Sequence, residues 1–252
     1  MAEKQGKIHD VIFEARGISK SFGPTRALVE VDLSICRGEI TGLIGENGSG
    51  KSTLSSIAAG MQSADRGEMV FLGKSHRPST MIEGAKAGIG MIVQEMGTVS
   101  GISVAENIFI GEENKFKKFG LINKRQMHAA AREALNAIGA KIDPEQPIDQ
   151  LSMQERKLVE LAKVMDKRPE LLIVDETTTA LSHQGREILY QVMQKVKGEN
   201  KAVLFISHDL PELMAVCDTL TVLRDGQFIA TLTKAEMSEQ KIKRLMVGRE
   251  MS

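Results

Sequence analysis

The chain has 252 residues, of which 42% are apolar and 26% charged, the composition of a globular protein with one or two domains. Its 33 basic and 33 acidic residues give a net charge of zero, which disfavours a general nucleic-acid binder. The polar N-terminus predicts no signal peptide, and no apolar run approaches the roughly 18 residues of a membrane span. Cys36 and Cys217 lack metal spacing and are predicted to be reduced core thiols. Secreted, transmembrane and fibrous classes of protein are therefore excluded.

The first part of the chain has the pattern of an α/β protein, because short apolar runs alternate with helical segments. Strands are predicted from Val11 to Ile18 and from Glu39 to Ile44, and a helix from Lys51 to Ala59 that Gly60 ends. Two shorter strands are predicted at Gly67 to Gly73 and Gly88 to Val93. This alternation favours a mainly parallel sheet.

The middle of the chain changes character and is predicted to be a helical subdomain over residues 96–165. One helix is predicted from Asn123 to Ala140. A second begins after Ser152, because apolar residues then recur at helical spacing: Leu158, Leu161, Ala162 and Met165. Residues 1–95 and 166–252 would form the α/β core into which this subdomain is inserted.

The last part returns to the α/β pattern. The run from Leu171 to Glu176 predicts a strand buried on both faces. The elements predicted to follow are a helix from Gln184 to Lys197, a strand from Ala202 to Ser207, a hairpin turning on Asp225 and Gly226, and a helix from Ser238 to Val247.

A phosphate-binding loop is predicted at residues 45–52, where GENGSGKS fits G-x-x-x-x-G-K-[ST]. Its glycines allow backbone N–H groups to point at phosphate oxygens, Lys51 would bridge the β- and γ-phosphates, and the Ser52 hydroxyl would hold Mg²⁺. The pattern arises by chance in roughly one in a hundred such chains, but the strand before it and the helix after it favour function. The predicted nucleotide-binding residues are Gly45, Glu46, Asn47, Gly48, Ser49, Gly50, Lys51, Ser52 and Thr53.

Two carboxylates, Asp175 and Glu176, follow the apolar run LLIV. The carboxyl ends of strands in open α/β sheets carry the ligand site, so these residues are expected beside the phosphate loop. Asp175 then suits Mg²⁺, and Glu176 suits orienting or deprotonating a water molecule. The alternative is a solvated Asp-Glu pair that begins a loop.

With these motifs in this order, nearly the whole chain resembles the nucleotide-binding subunit of ATP-binding cassette (ABC) transporters. The resemblance implies a P-loop NTPase fold with a mainly parallel core sheet, an antiparallel β part and an inserted helical subdomain, using ATP and Mg²⁺. Phe22 in KSFG matches the aromatic residue that stacks on adenine, although a core or strand-edge phenylalanine is the alternative. Gln94 in IVQE matches a glutamine that contacts Mg²⁺ or water, and His208 in ISHD matches the histidine that reaches the γ-phosphate.

The phrases GENGSGKSTL, SVAENIFIG and LMVGRE resemble the sugar-import branch of the family, of ribose and galactose type. That branch implies an ATPase that powers import, at the cytoplasmic face of the membrane. Its partners would be permease subunits docked in the groove after Gln94, a second cassette and, indirectly, a periplasmic or surface solute-binding protein, with no nucleic acid. In that branch one polypeptide usually carries two cassettes, so the chain is expected to be a first half, a shortened piece of one, or a half-size subunit.

The signature segment departs from the family pattern LSGGQ, because residues 151–155 are LSMQE. Family glycines there let the backbone approach the γ-phosphate bound by the opposite cassette. Met153 and Gln154 add side chains, and Ser152 with Glu155 has the pattern of a capping box, which leaves Ser152 as a weak contact candidate. Thr177 replaces the usual proline and Ser182 the usual aspartate. A homodimer would repeat the altered signature in both sites, so a non-identical second cassette is expected.

Two other functions stay open from the residues. A soluble ABC-type ATPase acting on nucleic acid or ribosomes would bind nucleic acid in a salt-dependent manner. A nucleotide sensor with little or no hydrolysis is suggested by the altered signature, and it would be insensitive to replacement of Glu176.

Overall fold

The computed structural model describes residues 10–93, 97–118 and 120–248. The strands are β1 (Val11–Phe22), β2 (Thr25–Cys36), β3 (Ile40–Ile44), β4 (Arg66–Phe71), β5 (Lys74–Ser75), β6 (Ile89–Ile92), β7 (Lys117–Lys118), β8 (Leu121–Ile122), β9 (Leu171–Asp175), β10 (Ala202–Ile206), β11 (Thr219–Arg224) and β12 (Gln227–Thr233). The helices are α1 (Lys51–Ala59), α2 (Met81–Ala87), α3 (Val104–Ile108), α4 (Lys124–Ala137), α5 (Met153–Asp166), α6 (His183–Gly198), α7 (Leu210–Val216) and α8 (Glu239–Val247). Single 3₁₀ turns lie at Glu113–Phe116, Ile148–Gln150, Thr177–Ala180 and Lys234–Glu236.

The central sheet has six strands in the order β12-β11-β3-β10-β9-β6. All neighbouring strands are parallel except the edge pair β11 and β12. Strands β3, β9 and β10 are buried at every residue, as expected for parallel strands covered on both faces. Because β10 lies between β3 and β9, the carboxyl ends of these three strands meet at one edge of the sheet.

A second, antiparallel sheet in the order β2-β1-β4-β5 covers one face of the central sheet together with α1. The alternation along β10 shows how the two faces divide: Leu204 packs with Phe13 and Ile57 on the side of the second sheet. Phe205 packs with Leu158 and Leu189 in the other cluster, on the side of the helices. The molecule is therefore built in layers, and the mainly parallel sheet with an antiparallel β part is confirmed.

The helical block predicted in the middle of the chain consists of α3, α4 and α5, whose buried faces share one apolar cluster. Capping boxes begin α3 at Ser103 with Glu106 and α5 at Ser152 with Glu155. Asn123 caps α4 through its side chain. The division into a subdomain of residues 96–165 and a core of the remaining residues stays a prediction.

Several predicted elements need correction. Strand β1 continues past Ile18 to Phe22, α4 ends at Ala137 rather than Ala140, and β2 was not predicted. The helices α2, α3 and α7 were missed because five to seven residues are too short to establish a helical period. Cys217 is buried, but Cys36 is only partly buried, so it is not a core residue.

No helix in the described ranges combines the length and the apolar character needed to cross a bilayer.

We expect Phe205→Ala to lower the free energy of unfolding by about 3–5 kcal/mol, because the side chain is 0% exposed in the central strand and its loss leaves a cavity. Phe228→Ala is the matched control, because Phe228 on the edge strand β12 is 40% exposed and should cost about 0.5 kcal/mol or less. Urea unfolding at equilibrium measures both values, and equal losses in the two variants would contradict the assignment of the core.

Candidate functional site

The segment GENGSG joins β3 to α1 in a conformation that requires glycine. Gly50 is the N-cap of α1 with a φ of 97°, and no side chain caps that helix. A Cβ on Gly50 would lie 2.5 Å from Cδ2 of Leu28 and 2.6 Å from the carbonyl oxygen of Ala27. A Cβ on Gly45 would collide with the Leu223 carbonyl oxygen and the Ser49 hydroxyl. The tight loop therefore leaves the first N–H groups of α1 available, which is the geometry of an anion site.

The loop holds a buried cation whose hydrogen bonds, within the described part of the chain, go to backbone oxygens. Lys51 is 4% exposed, and its Nζ donates to the carbonyl oxygens of Gly45 at 2.9 Å and Glu46 at 3.1 Å. Burial lowers the pKa of Lys51, although the nearby carboxylates of Glu176 and Asp175 oppose that effect. The buried Ser49 Oγ has no hydrogen-bond partner among the described residues. Cation, hydroxyl and helix N-terminus together fit a phosphate chain.

Asp175 ends β9 directly opposite α1. Its Oδ2 accepts a hydrogen bond from Ser55 Oγ at 3.0 Å, and its Oδ1 lies 3.4 Å from Ser52 Oγ. The side chain is 3% exposed, and burial raises the pKa of its carboxyl. Hydroxyl and carboxylate oxygens are the donor set that Mg²⁺ prefers, so Ser52 and Asp175 fit a magnesium site.

The structure brings Glu176 and His208 together from two neighbouring strands. Glu176 follows β9 in the left-handed region at φ 42° and ψ 32°, and its N–H donates to the Ile206 carbonyl oxygen at 3.0 Å. His208 follows β10, and its Nδ1 lies 4.0 Å from Glu176 Oε2. A left-handed glutamate is strained, and such strain concentrates at functional sites. Glu176 and His208 therefore face the same space.

Gln94 and Phe22 are the two remaining residues predicted to belong to the site. Gln94 lies outside the described residues. Phe22 is 47% exposed at the end of β1, with Lys20 Nζ 5.6 Å from the centre of its ring. This exposure excludes the core alternative, and it is compatible with both a strand-edge residue and an adenine platform.

The signature segment is closed by hydrogen bonds within its own chain. Glu155 Oε2 accepts from the Ser152 N–H at 2.9 Å and from Ser152 Oγ at 2.7 Å, so the capping box is confirmed. These two bonds also lower the pKa of Glu155. Gln154 Oε1 accepts from the Ser182 N–H at 3.0 Å, a contact between two positions that depart from the family pattern. Met153, 58% exposed, projects from the helix start.

The sequence and the fold lead to one assignment. The family model of the ABC transporter matches residues 28–179, which include the phosphate loop, the signature segment and both carboxylates. The chain belongs to the ABC transporter family. It is similar to the nucleotide-free ATP-binding cassette of an ABC transporter, with a TM-score of 0.81, 26% identity and coverage of 95% of this chain and 100% of that one. It is also similar to MJ1267, an ATP-binding cassette in its ADP conformation, with a TM-score of 0.79, 26% identity and coverage of 95% and 99%.

Relatives from sugar importers resemble this ABC cassette in sequence. It is 37% identical over 242 residues to the ribose import ATP-binding protein RbsA 2 of Burkholderia cenocepacia (strain HI2424), covering 96% of this chain and 48% of that protein. It is 35% identical over 243 residues to the galactofuranose transporter ATP-binding protein YtfR of Escherichia coli (strain K12), covering 96% and 48%. The chain thus spans about half the length of the curated relatives it matches.

An apolar groove lies beside the segment that leaves β6. It has a volume of about 370 Å³ and is lined by α2, β6 and α5, with Met81, Ile82, Val93, Lys163 and Val164 among its residues. Ile82 is 67% exposed and Met81 is 42% exposed. The cassette therefore presents apolar side chains to solvent around this groove.

Sequence reasoning missed two polar residues at the site. Ser55 bonds Asp175 and lies one turn after Ser52 on α1, so helical spacing was a usable signal. Glu212 bonds Thr178 and Ser207 from α7, and its sequence position carried no such signal.

We expect Asp175→Asn, without nucleotide or Mg²⁺, to become progressively more stable than the wild type as the pH rises above the ordinary pKa of an aspartate, about 3.9. The native carboxyl has a raised pKa because it is buried, so the unfolded state loses its proton first and the wild type loses stability as the pH rises from the unfolded pKa toward the native one. Each unit by which the native pKa exceeds the unfolded value adds about 1.4 kcal/mol to the difference. Denaturant unfolding of both proteins at each pH measures it, and a difference that shrinks with rising pH would contradict the assignment.

Proposed function

We propose that this chain binds MgATP and hydrolyses it to power the import of a sugar or related small solute. The observation that carries the proposal is the convergence of Lys51, Asp175, Glu176 and His208 at the carboxyl ends of the three adjacent strands β3, β9 and β10. Ligands of open α/β sheets bind at that edge. The names of two relatives, a ribose import ATP-binding protein and a galactofuranose transporter ATP-binding protein, support the solute class.

Each residue has a proposed role that follows from its chemistry. The N–H groups of residues 45–53 and the Lys51 ammonium hold the phosphates, and Phe22 stacks on adenine. Ser52 and Asp175, with Gln94, hold Mg²⁺, which neutralises charge on the β- and γ-phosphates when bound. Glu176 orients or deprotonates the attacking water, and His208 reaches the γ-phosphate.

The partners are proposed from the relatives and from the exposed apolar groove. Since the chain covers 48% of RbsA 2 and of YtfR, a second cassette, in the same polypeptide or a separate one, is the proposed mate. Permease subunits would dock in the apolar groove beside β6, where exposed Met81 and Ile82 offer a surface for a partner helix. A solute-binding protein would act through the permease, and the cassette would lie at the cytoplasmic face of the membrane.

The two nucleotide sites of the proposed pair would be unequal. This chain has all the residues expected on the phosphate-loop side of a site: the loop itself, Asp175, Glu176 and His208. In its signature segment, however, the side chains of Glu155 and Gln154 already form hydrogen bonds to Ser152 and Ser182. Met153 occupies a position where the family pattern has glycine, so the backbone is less accessible to a phosphate. The productive site would combine this phosphate loop with an intact signature from the partner.

We expect Glu176→Gln to lower the ATPase kcat of the chain with its partner cassette by about 10²–10⁴-fold, because the amide cannot take the proton of the attacking water. MgATP binding by calorimetry should persist in this variant, whereas Lys51→Ala should weaken or abolish the binding heat because the buried cation is removed. Little or no hydrolysis in the wild type, unchanged in Glu176→Gln, would instead favour the nucleotide sensor. No binding heat in the wild type would refute the nucleotide site itself.

We also expect the purified chain alone, at high concentration, to hydrolyse ATP slowly, because a homodimer would present two altered signatures. Replacing residues 153–155 with the family's Gly-Gly-Gln should raise the rate of the homodimer by about tenfold or more, if backbone access to phosphate is the limiting defect. The matched control is Glu155→Gln alone, which leaves the Met153 and Gln154 side chains in place and should remain slow. Robust, cooperative hydrolysis by the unmodified homodimer would contradict this prediction.

A further inference from the structure

A buried carboxylate lies directly behind the two proposed catalytic groups. Glu212, on α7, is 8% exposed. Its Oε2 accepts hydrogen bonds from Thr178 Oγ1 at 3.1 Å and from Ser207 Oγ at 2.6 Å. Its Oε1 accepts a hydrogen bond from the hydroxyl of Tyr190 on α6. Three hydroxyl donors thus satisfy one carboxylate that folding has withdrawn from water.

The two donors on Oε2 belong to the two loops that carry the proposed chemistry. Thr178 lies in the 3₁₀ turn that follows Glu176, and Ser207 immediately precedes His208. Thr178 and Ser207 are 3% and 2% exposed, so water is not a competing partner. A single carboxylate oxygen therefore joins the loop after β9 to the loop after β10.

Neighbouring hydrogen bonds hold both loops onto this carboxylate. Arg186 Nε donates to the carbonyl oxygen of Thr178 at 3.0 Å. The Asp209 N–H donates to Ser207 Oγ at 3.0 Å, and the Glu212 N–H donates to Asp209 Oδ1 at 3.1 Å. A fully satisfied buried network of this kind is rigid, because losing any one bond leaves an unpaired polar group.

We propose that Glu212 is a positioning residue that fixes the spacing between Glu176 and His208 by accepting hydrogen bonds from Thr178 and Ser207 on one oxygen. The inference rests on the roles proposed above for Glu176 and His208. Within the described residues no hydrogen bond joins the Glu212 side chain to Glu176 or His208, so its effect passes through the two loops. For this role Glu212 needs a side chain long enough for one oxygen to accept hydrogen bonds from both loops. Its negative charge is not needed at the reacting atoms.

Reach and charge are separated by two substitutions. Glu212→Asp keeps the charge but shortens the side chain by one methylene, about 1.5 Å, so it cannot hold both hydroxyls. Glu212→Gln keeps the length, and its amide oxygen can still accept from Thr178 and Ser207. With the partner cassette present, Glu212→Asp should lower kcat by about 10–100-fold with the KM for MgATP within about twofold, as for a misplacement on the order of 1 Å. Glu212→Gln should stay within about threefold of wild type.

Asp218→Asn is the matched control for a general loss of stability. Asp218 is also a partly buried carboxylate near α7, and it accepts from the Ile40 N–H at 2.8 Å and from Lys197 Nζ at 2.6 Å. This variant should lower the melting temperature without changing kcat. If Glu212→Asp does not fold, Thr178→Val takes its place, because it removes one of the two hydroxyl donors at nearly constant volume. This variant should lower kcat and leave the KM for MgATP unchanged.

The network carries its own spectroscopic probe, because Tyr190 is the only tyrosine and the chain has no tryptophan. A phenol bonded to a carboxylate emits weakly, since the excited phenol passes its proton to the acceptor. Emission should rise in Glu212→Asp and stay unchanged in Asp218→Asn.

The outcomes separate this inference from the proposed function. If Glu176→Gln loses hydrolysis while Glu212→Asp and Thr178→Val keep the wild-type kcat, the positioning role is refuted and the proposed function stands. The same holds if kcat simply follows the melting temperature across all variants, including Asp218→Asn. If Glu176→Gln keeps full hydrolysis, the role proposed for Glu176 is refuted, and the positioning inference, which rests on that role, fails with it.

Discussion

The burial of two opposite charges at one edge of the central sheet is the constraint on which the rest of the site depends. Lys51 is 4% exposed and Asp175 is 3% exposed. Burial lowers the pKa of Lys51 and raises the pKa of Asp175, so it disfavours the charged form of each group. Folding therefore leaves both groups less well solvated than in water, with backbone oxygens and serine hydroxyls as partial compensation. The proposed magnesium triphosphate would give Lys51 an anionic partner and Asp175 a cationic one. The loss of solvation that disfavours folding at this edge of the sheet thus favours binding of the proposed ligand.

The surrounding fold makes that arrangement possible. Strands buried on both faces fix the ends of β3, β9 and β10, and the second sheet presses Ala27 and Leu28 against Gly50. The phosphate loop is therefore confined on the side away from its ligand. The left-handed backbone of Glu176 is held in turn by its N–H bond to Ile206 on the neighbouring strand. Local strain is tolerated here because the sheet determines the position of each loop.

Local patterns allowed much of this to be predicted, and long-range contacts account for what was missed. The loop at residues 45–52 and the buried run before Asp175 are each recognisable within a few residues, so a candidate phosphate site and a candidate metal site could be named from the sequence alone. Glu212 was not, because its partners Thr178, Tyr190 and Ser207 come from three other segments. The bond between Gln154 and Ser182 was hidden for the same reason: each residue alone only departs from a pattern. Short helices such as α7 were missed because one or two turns do not establish a period.

The signature segment and the phosphate loop of this cassette differ in how well each can bind a phosphate. A helix start can bind a phosphate only if its N–H groups are free and accessible. Here the Ser152 and Glu155 N–H groups bond within the capping box, and the Gln154 side chain accepts from the Ser182 N–H. In the phosphate loop, by contrast, the Ser49 hydroxyl has no partner among the described residues, and no side chain caps α1. A helix start whose N–H groups are already bonded gains little from a partner's nucleotide, whereas an uncapped one gains hydrogen bonds from a phosphate. The chain is therefore better suited to bind a nucleotide in its own phosphate loop, against the signature segment of a partner cassette. Its own signature segment is less suited to contact a nucleotide bound by that partner.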